Sequence, residues 1–174
     1  MGAPIKRIVT MPKGEYSDEA KKLWNNVMNY DVDEHNITLR MPPSKVPELI
    51  GEYIYRVMHD KDHIDAKFDG KAPSEKEIYT SVHMSRSTWT RLKSGEKLDV
   101  ERSNVWAAAL GLRLNEYQTE ELLRSAGLCT NYNIELDAAL MYFIKREDYD
   151  TDKIWDILSE FSDITNGLDN FKFR

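Results

Sequence analysis

A dense group of side chains suited to anion recognition lies between positions 85 and 102. This stretch has five basic residues against three acidic ones, although the whole chain has a formal net charge of −6. The basic residues are Arg86, Arg91, Lys93, Lys97 and Arg102, and hydroxyl groups stand among them at Ser85, Ser87 and Thr90. Guanidinium, ammonium and hydroxyl groups donate hydrogen bonds to phosphate oxygens and to base edges. An acidic chain therefore contains one local cationic face.

Other residue clusters offer weaker chemistry. His59 and His63 lie four residues apart, as two metal ligands on a helix do, but no third ligand joins them. Cys129 is the only cysteine, and no motif places a histidine beside it as the base of a nucleophilic site. The chain shows neither a phosphate-binding loop nor a serine–histidine spacing. The sequence therefore favours a protein that is not an enzyme and uses no metal or cofactor.

The cationic face needs a helix to position it, and the chain first supplies a short helix just before it. Ser74 and Glu77 form a capping box, in which the serine oxygen accepts a free amide of the first turn and the glutamate reaches back. Ile78 and Val82 follow at a spacing of four and so share one face of this helix. A tight connection at positions 83–84 ends it.

The second helix carries the face itself. Ser85 is the predicted N-cap, the helix runs from Arg86 to Lys93, and Gly95 suits the left-handed exit. Trp89 and Leu92 point inward and leave the basic and hydroxyl residues outside. Two short helices, a turn of about three residues and a polar outer face are what a helix-turn-helix needs to enter a major groove. Two ordinary helices of an all-α core with a solvated face fit the same pattern.

The remaining segments are also predicted to be helical, and none alternates at period two for long. Further helices are predicted to start at Ser17, Ser44, Arg102, Asn115, Asn133 and Asp150. The Ser44 helix carries a broad apolar stripe, which consists of Leu49, Ile50, Tyr53, Ile54, Val57 and Met58. Residues 1–16 are predicted to form an extended arm or an edge strand, 31–43 a surface linker and 59–73 a solvated loop. The fold class is therefore all-α.

Composition limits the class further. The chain has 174 residues, of which 41% are hydrophobic and 31% charged, as in globular proteins. No apolar run approaches the roughly 18 residues of a membrane span, and no apolar signal core is present. A single cysteine fits a reducing cytoplasm. The negative net charge argues against nucleic-acid binding by the whole surface, but it leaves a local basic face possible.

Two consecutive motifs suggest a family. EIYTSVHMSRSTWTRLKSG is followed by VWAAALGLRLNEYQTEELLRSAG, and together they make the run from Val46 to Gly127 resemble a Cro/phage-repressor-type (XRE-like) helix-turn-helix domain. The chain is most similar to a bacterial branch that continues past the five helices, here with YFI at 142–144. It departs from that pattern at Tyr79, where alanine is usual, and at His83, where the turn glycine is usual. Its 59–73 connection is also longer than the class normally has.

The resemblance implies a fold and a site. The fold would be an N-terminal arm and helix (1–43), a five-helix core (44–127) and a two-helix C-terminal extension (128–174). Arg86–Lys93 would be the recognition helix of a cytoplasmic transcriptional regulator that reads duplex DNA as a homodimer. Ser85 and Ser87 would bond phosphates or base edges, Arg86 and Thr90 would face bases, and Arg91, Lys93, Lys97 and Arg102 would grip phosphates.

A protein-interaction module is the alternative. The same fold would bind a protein partner, or would sense nucleic acid within a mobile-element or phage-defence system, without reading an operator. Residues 131–174 carry ten acids against five bases, so an acidic C-terminal face could be the working surface.

Overall fold

The computed structural model describes residues 11, 13–27, 48–95, 101–131 and 135–161, and all regular secondary structure among them is helical. The helices are α1 (Asp18–Val27), α2 (Ile50–Met58), α3 (Lys61–Lys67), α4 (Glu75–Ser81), α5 (Arg86–Ser94), α6 (Arg102–Gly111), α7 (Glu116–Ser125), α8 (Glu135–Lys145) and α9 (Thr151–Ser159). The predicted all-α class is confirmed. The 31–43 linker, the Ser44 and Asn133 helix starts, the tail from position 162 and most of the 1–16 arm lie outside the described residues. Among those residues, no helix has the length and apolarity needed to cross a membrane.

Side-chain caps start the helices where the sequence predicts them. The Ser74–Glu77 capping box is formed, and a second box joins Asn115 to Gln118. The predicted caps Ser17, Ser85 and Asp150 also accept backbone N–H groups of the turns that follow them. These side chains satisfy amides that the first helical turn leaves without partners. Local chemistry thus fixes where these helices begin.

The segment 59–73 was predicted to be a loop, and this prediction is wrong. It contains α3, whose N-cap Asp60 accepts hydrogen bonds from the amides of Asp62 at 3.0 Å and His63 at 3.3 Å. The polar composition concealed the helix because its buried residue is His63, which is only 6% exposed. An additional helix therefore precedes the two motif helices.

Both ring nitrogens of His63 are engaged inside the protein. Nε2 lies 2.8 Å from the Leu112 carbonyl oxygen, which only accepts, so Nε2 carries the proton. Nδ1 then accepts from the side-chain amide of Gln118 at 3.2 Å. No group of three potential metal ligands occurs among the described residues, so His59 and His63 do not form part of such a group there. His63 instead ties α3 to the turn between α6 and α7.

Folding stability should fall as the pH drops below the ordinary pKa of histidine. Burial lowers the pKa of His63 below its usual 6.5. At pH values between the lowered pKa and the ordinary one, the unfolded chain binds more protons than the folded chain. The stabilisation from neutral His63 is therefore complete above about pH 6.5 and is lost as the pH falls below that value. Urea unfolding at pH 7.5 and pH 5.0 measures the loss. In His63→Phe the difference between the two pH values should shrink, and an unchanged difference would contradict this assignment.

Helix α2 lies against both α5 and α7 and supplies much of the core around the motif. Ile50, Tyr53, Ile54 and Val57 are buried, as the predicted stripe requires, but Leu49 is 55% exposed and was wrongly included. The closest approach is at Gly51, where an added Cβ atom would lie 2.1 Å from the Lys93 carbonyl oxygen. The backbones of α2 and α5 therefore touch at this position.

Gly51→Ala should destabilise the protein although alanine is the better helix former. The methyl group would overlap a backbone oxygen that cannot turn away, so the two helices must move apart, at a cost of about 1–3 kcal/mol. Chemical denaturation of the variant and of Glu52→Ala, an exposed neighbour on α2, provides the comparison. Equal stability of the two variants would contradict the close contact.

Candidate nucleic-acid interface

Helices α4 and α5 form a compact pair on the core. Ile78, Val82, Trp89 and Leu92 are all at most 3% exposed, as the sequence predicts. In the connection, the Met84 amide donates to the Tyr79 carbonyl at 2.8 Å. His83 adopts a φ of 52°, the left-handed conformation that residues other than glycine rarely take. A histidine therefore makes this tight turn.

The outer face of α5 presents the predicted polar residues. Ser85, Arg86, Ser87, Thr90 and Arg91 are all exposed. Arg86 and Thr90 are four residues apart and so lie one helical turn from each other. The same holds for Ser87 and Arg91. Their hydroxyl groups are held locally: Ser85 Oγ caps the helix at 3.1 Å from the Thr88 amide, and Thr90 Oγ1 donates to the Arg86 carbonyl at 2.9 Å. The face thus combines ordered hydroxyls with guanidinium groups.

The two arginines of this face are available for a ligand. Neither the Arg86 nor the Arg91 guanidinium makes a hydrogen bond or an ion pair with the part of the chain that the structure describes. An unpaired guanidinium retains all five donors for carboxylate, phosphate or guanine. Of the predicted set, these two arginines therefore have the most hydrogen-bond donors free for an anionic ligand.

The two lysines of the predicted set add no free charge to the described face. Lys93 is half-buried and its ammonium group pairs with the carboxylate of Glu75 at the start of α4. A phosphate contact by Lys93 would have to compete with that carboxylate. Lys97 lies outside the described residues. The free cationic charge of the described face therefore concentrates on Arg86 and Arg91.

Arg102 is half-buried and already paired within the protein. Its Nε donates to the carboxylate of Asp137 at 3.0 Å, its Nη2 forms a second, shorter bond to the same carboxylate, and this pairing raises the pKa of Arg102. Asp137 is 1% exposed and also accepts from Trp106 Nε1 and the Asn131 amide, both at 2.9 Å. A phosphate contact by Arg102 would therefore have to break this pairing with Asp137. The sequence signal for this network was an aspartate inside the apolar run LDAALMYFI.

The C-terminal extension touches the motif at its turn. Thr151 Oγ1 donates to the Ser81 carbonyl at 2.9 Å, and His83 Nε2 lies 3.2 Å from Asp152 Oδ1. A nearby carboxylate, Asp148, pairs with Lys153 at 2.6 Å. Part of the acidic charge of residues 131–174 is therefore neutralised within the protein, and α9 supports the connection between α4 and α5.

The site thus combines a capped pair of short helices, a left-handed turn residue and, on one face of α5, two arginines that have no partner among the residues the structure describes. Comparison of the chain with protein-family models, with curated proteins and with solved structures finds no match.

Proposed function

We propose that the protein binds duplex DNA with α5 in the major groove and acts as a transcriptional regulator. The observation that carries the proposal is a pair of exposed guanidinium groups, without a partner in the described part of the chain, on the side of α5 opposite Trp89 and Leu92. A helix in the major groove needs one face anchored in its own core and the other free to meet base edges. Helix α5 meets both requirements, with one face packed in the core and the other exposed.

The proposed contacts follow from position along the helix. Arg86 lies in the first turn, where a recognition helix meets base edges, and an arginine on guanine O6 and N7 is the commonest specific contact. Thr90 lies one turn further on the same side. Arg91 projects from the adjacent row and is assigned to phosphate. Ser87 can donate its hydroxyl to either target.

A dimer would supply the rest of the affinity. One short helix contacts few base pairs, so proteins of this kind read two half-sites about 34 Å apart, on one side of the duplex. We therefore expect the selected DNA to be a palindrome with half-sites one helical turn apart.

Selection of bound fragments from a random duplex pool tests the proposal. We expect an enriched palindromic sequence whose binding falls by powers of ten as salt rises, because each phosphate contact releases counterions. Fluorescence anisotropy against the enriched and a scrambled duplex measures both effects. Absence of enrichment, or equal affinity for the two duplexes, would overturn the proposal.

A protein-interaction role is the second candidate, and it is favoured by the exposed side chains of Leu49, the N-cap of α2, and Tyr55 on α2. It predicts negligible DNA binding even at modest salt. The salt titration therefore separates the two functions.

A further inference from the structure

An open groove runs between the outer side of α2 and the C-terminal end of α5. The volume of this groove, which is open to solvent, is about 1060 Å³. Its apolar part is formed by Leu49, Tyr55, Met58 and the edge of Ile54, and Gly51 lies between them without a side chain. Lys93 and Ser94 of α5 form the far wall. Neither Arg86 nor Arg91 lines it, so the groove is separate from the proposed DNA contacts.

Large apolar side chains are exposed in this groove. Leu49 is 55% and Tyr55 is 65% exposed, and among the described residues the remaining large exposed hydrophobic side chain is Tyr117, at 55% on α7. The Tyr55 ring stacks on His59 with centroids 4.0 Å apart, and His59 Nδ1 lies 2.8 Å from the Tyr55 carbonyl oxygen. A tyrosine held in one orientation contributes contact area at small entropic cost, and clustered exposed apolar groups mark interaction sites.

The rim of the groove is acidic. Four carboxylates line it, those of Glu48, Glu52, Asp60 and Glu75. Two full cations oppose them: Arg56 is paired with Glu48 and Lys93 with Glu75. Glu52 and Asp60 remain as the excess negative charge beside the apolar floor, and one oxygen of Asp60 also caps α3. A ligand that complements this surface must be apolar on one side and basic along its edges.

We infer that this groove docks a basic amphipathic helix of a partner protein. Helix α2 has nine residues and is therefore about 13 Å long, which matches two to three turns of a docked helix. Such a helix anchors apolar residues at spacings of three and four, and its flanking lysines and arginines meet the acidic rim. A second copy of this chain, with a net charge of −6, offers poorer charge complementarity.

Two synthetic helical peptides test the inference. Both carry the same leucine stripe, and their remaining positions are lysine in one and glutamate in the other. Fluorescence anisotropy should show saturable binding of the lysine peptide and at least about tenfold weaker binding of the glutamate peptide. Tyr55→Ala and Leu49→Ala should each weaken the lysine peptide by about tenfold or more. Glu52→Gln should weaken it only at low salt, where surface charges act.

Tyr117→Ala is the matched control, because it removes another exposed tyrosine, from α7, and it should leave peptide binding unchanged. Because Leu49 and Tyr55 are exposed, their variants should melt at the parent temperature. Equal weakening by Tyr117→Ala, or failure of the lysine peptide to bind, would overturn the inference. So would a parent that sediments as a dimer while Tyr55→Ala sediments as a monomer, since the groove would then belong to a second copy.

Discussion

Replacing both Arg86 and Arg91 by alanine should weaken binding to the selected duplex by about tenfold to a thousandfold. A bidentate arginine–base contact contributes about 1–3 kcal/mol, and each lost phosphate contact also reduces the salt slope by about one. Neither side chain contributes a described contact to the fold, so the double variant should melt at the parent temperature. Fluorescence anisotropy at 0.1 M salt, repeated across a salt series, measures both the affinity and the slope.

A second double variant controls for the change in charge. Lys21 and Lys22 are exposed on α1, which packs on α8 and α9, so Lys21→Ala with Lys22→Ala removes two charges away from the motif. It should bind DNA nearly as the parent does. Arg86→Lys tests whether Arg86 donates two parallel hydrogen bonds to one base, since lysine keeps the charge but cannot make this bidentate contact. Equal affinities for the parent and the arginine double variant would refute the role of α5.

Asp137→Ala should lower the free energy of unfolding by about 3–5 kcal/mol, the usual cost of breaking a buried charged pair. The substitution leaves the Arg102 guanidinium, the Trp106 indole N–H and the Asn131 amide without their shared acceptor. It also removes the polar connection that joins α6 to α8. Urea unfolding followed by circular dichroism at pH 7 measures the change.

A double-variant cycle separates the ion pair from simple packing. Arg102→Met leaves the buried carboxylate without its cation, whereas Arg102→Met combined with Asp137→Leu removes both charges. The combined variant should therefore cost less than the sum of Arg102→Met and Asp137→Leu measured separately. Strict additivity would mean that Arg102 and Asp137 do not stabilise each other.

Features that depend on near neighbours in sequence were predictable. The Ser74–Glu77 box, the Ser85 cap, and the inward direction of Trp89 and Leu92 all follow from spacings of three or four residues. Gly95 adopts the left-handed conformation that its position after a helix predicts, with a φ of 64°. The candidate face on α5 could be located for the same reason.

Features that depend on distant partners were not predictable. Helix α3 was missed because its buried residue is a histidine whose partners, Leu112 and Gln118, are 49 and 55 positions away. Arg102 was assigned to phosphate because nothing near it in sequence reveals Asp137, 35 positions later. Periodicity also placed Leu49 in the core, although it precedes the first turn of α2 and faces outward. In each case a contact across the fold decides the role.

Two hydrogen bonds from Ser17 to Glu160, at 2.8 and 2.6 Å across 143 positions, join the start of α1 to the end of α9. Beside them the Tyr16 and Phe161 rings stack, and Trp24 packs on Phe161. If α5 binds DNA as proposed, a substitution at this closure would weaken binding indirectly, by lowering the fraction of chains that are folded. Restoring the folded population, by cooling or by a stabilising second substitution, would then restore binding.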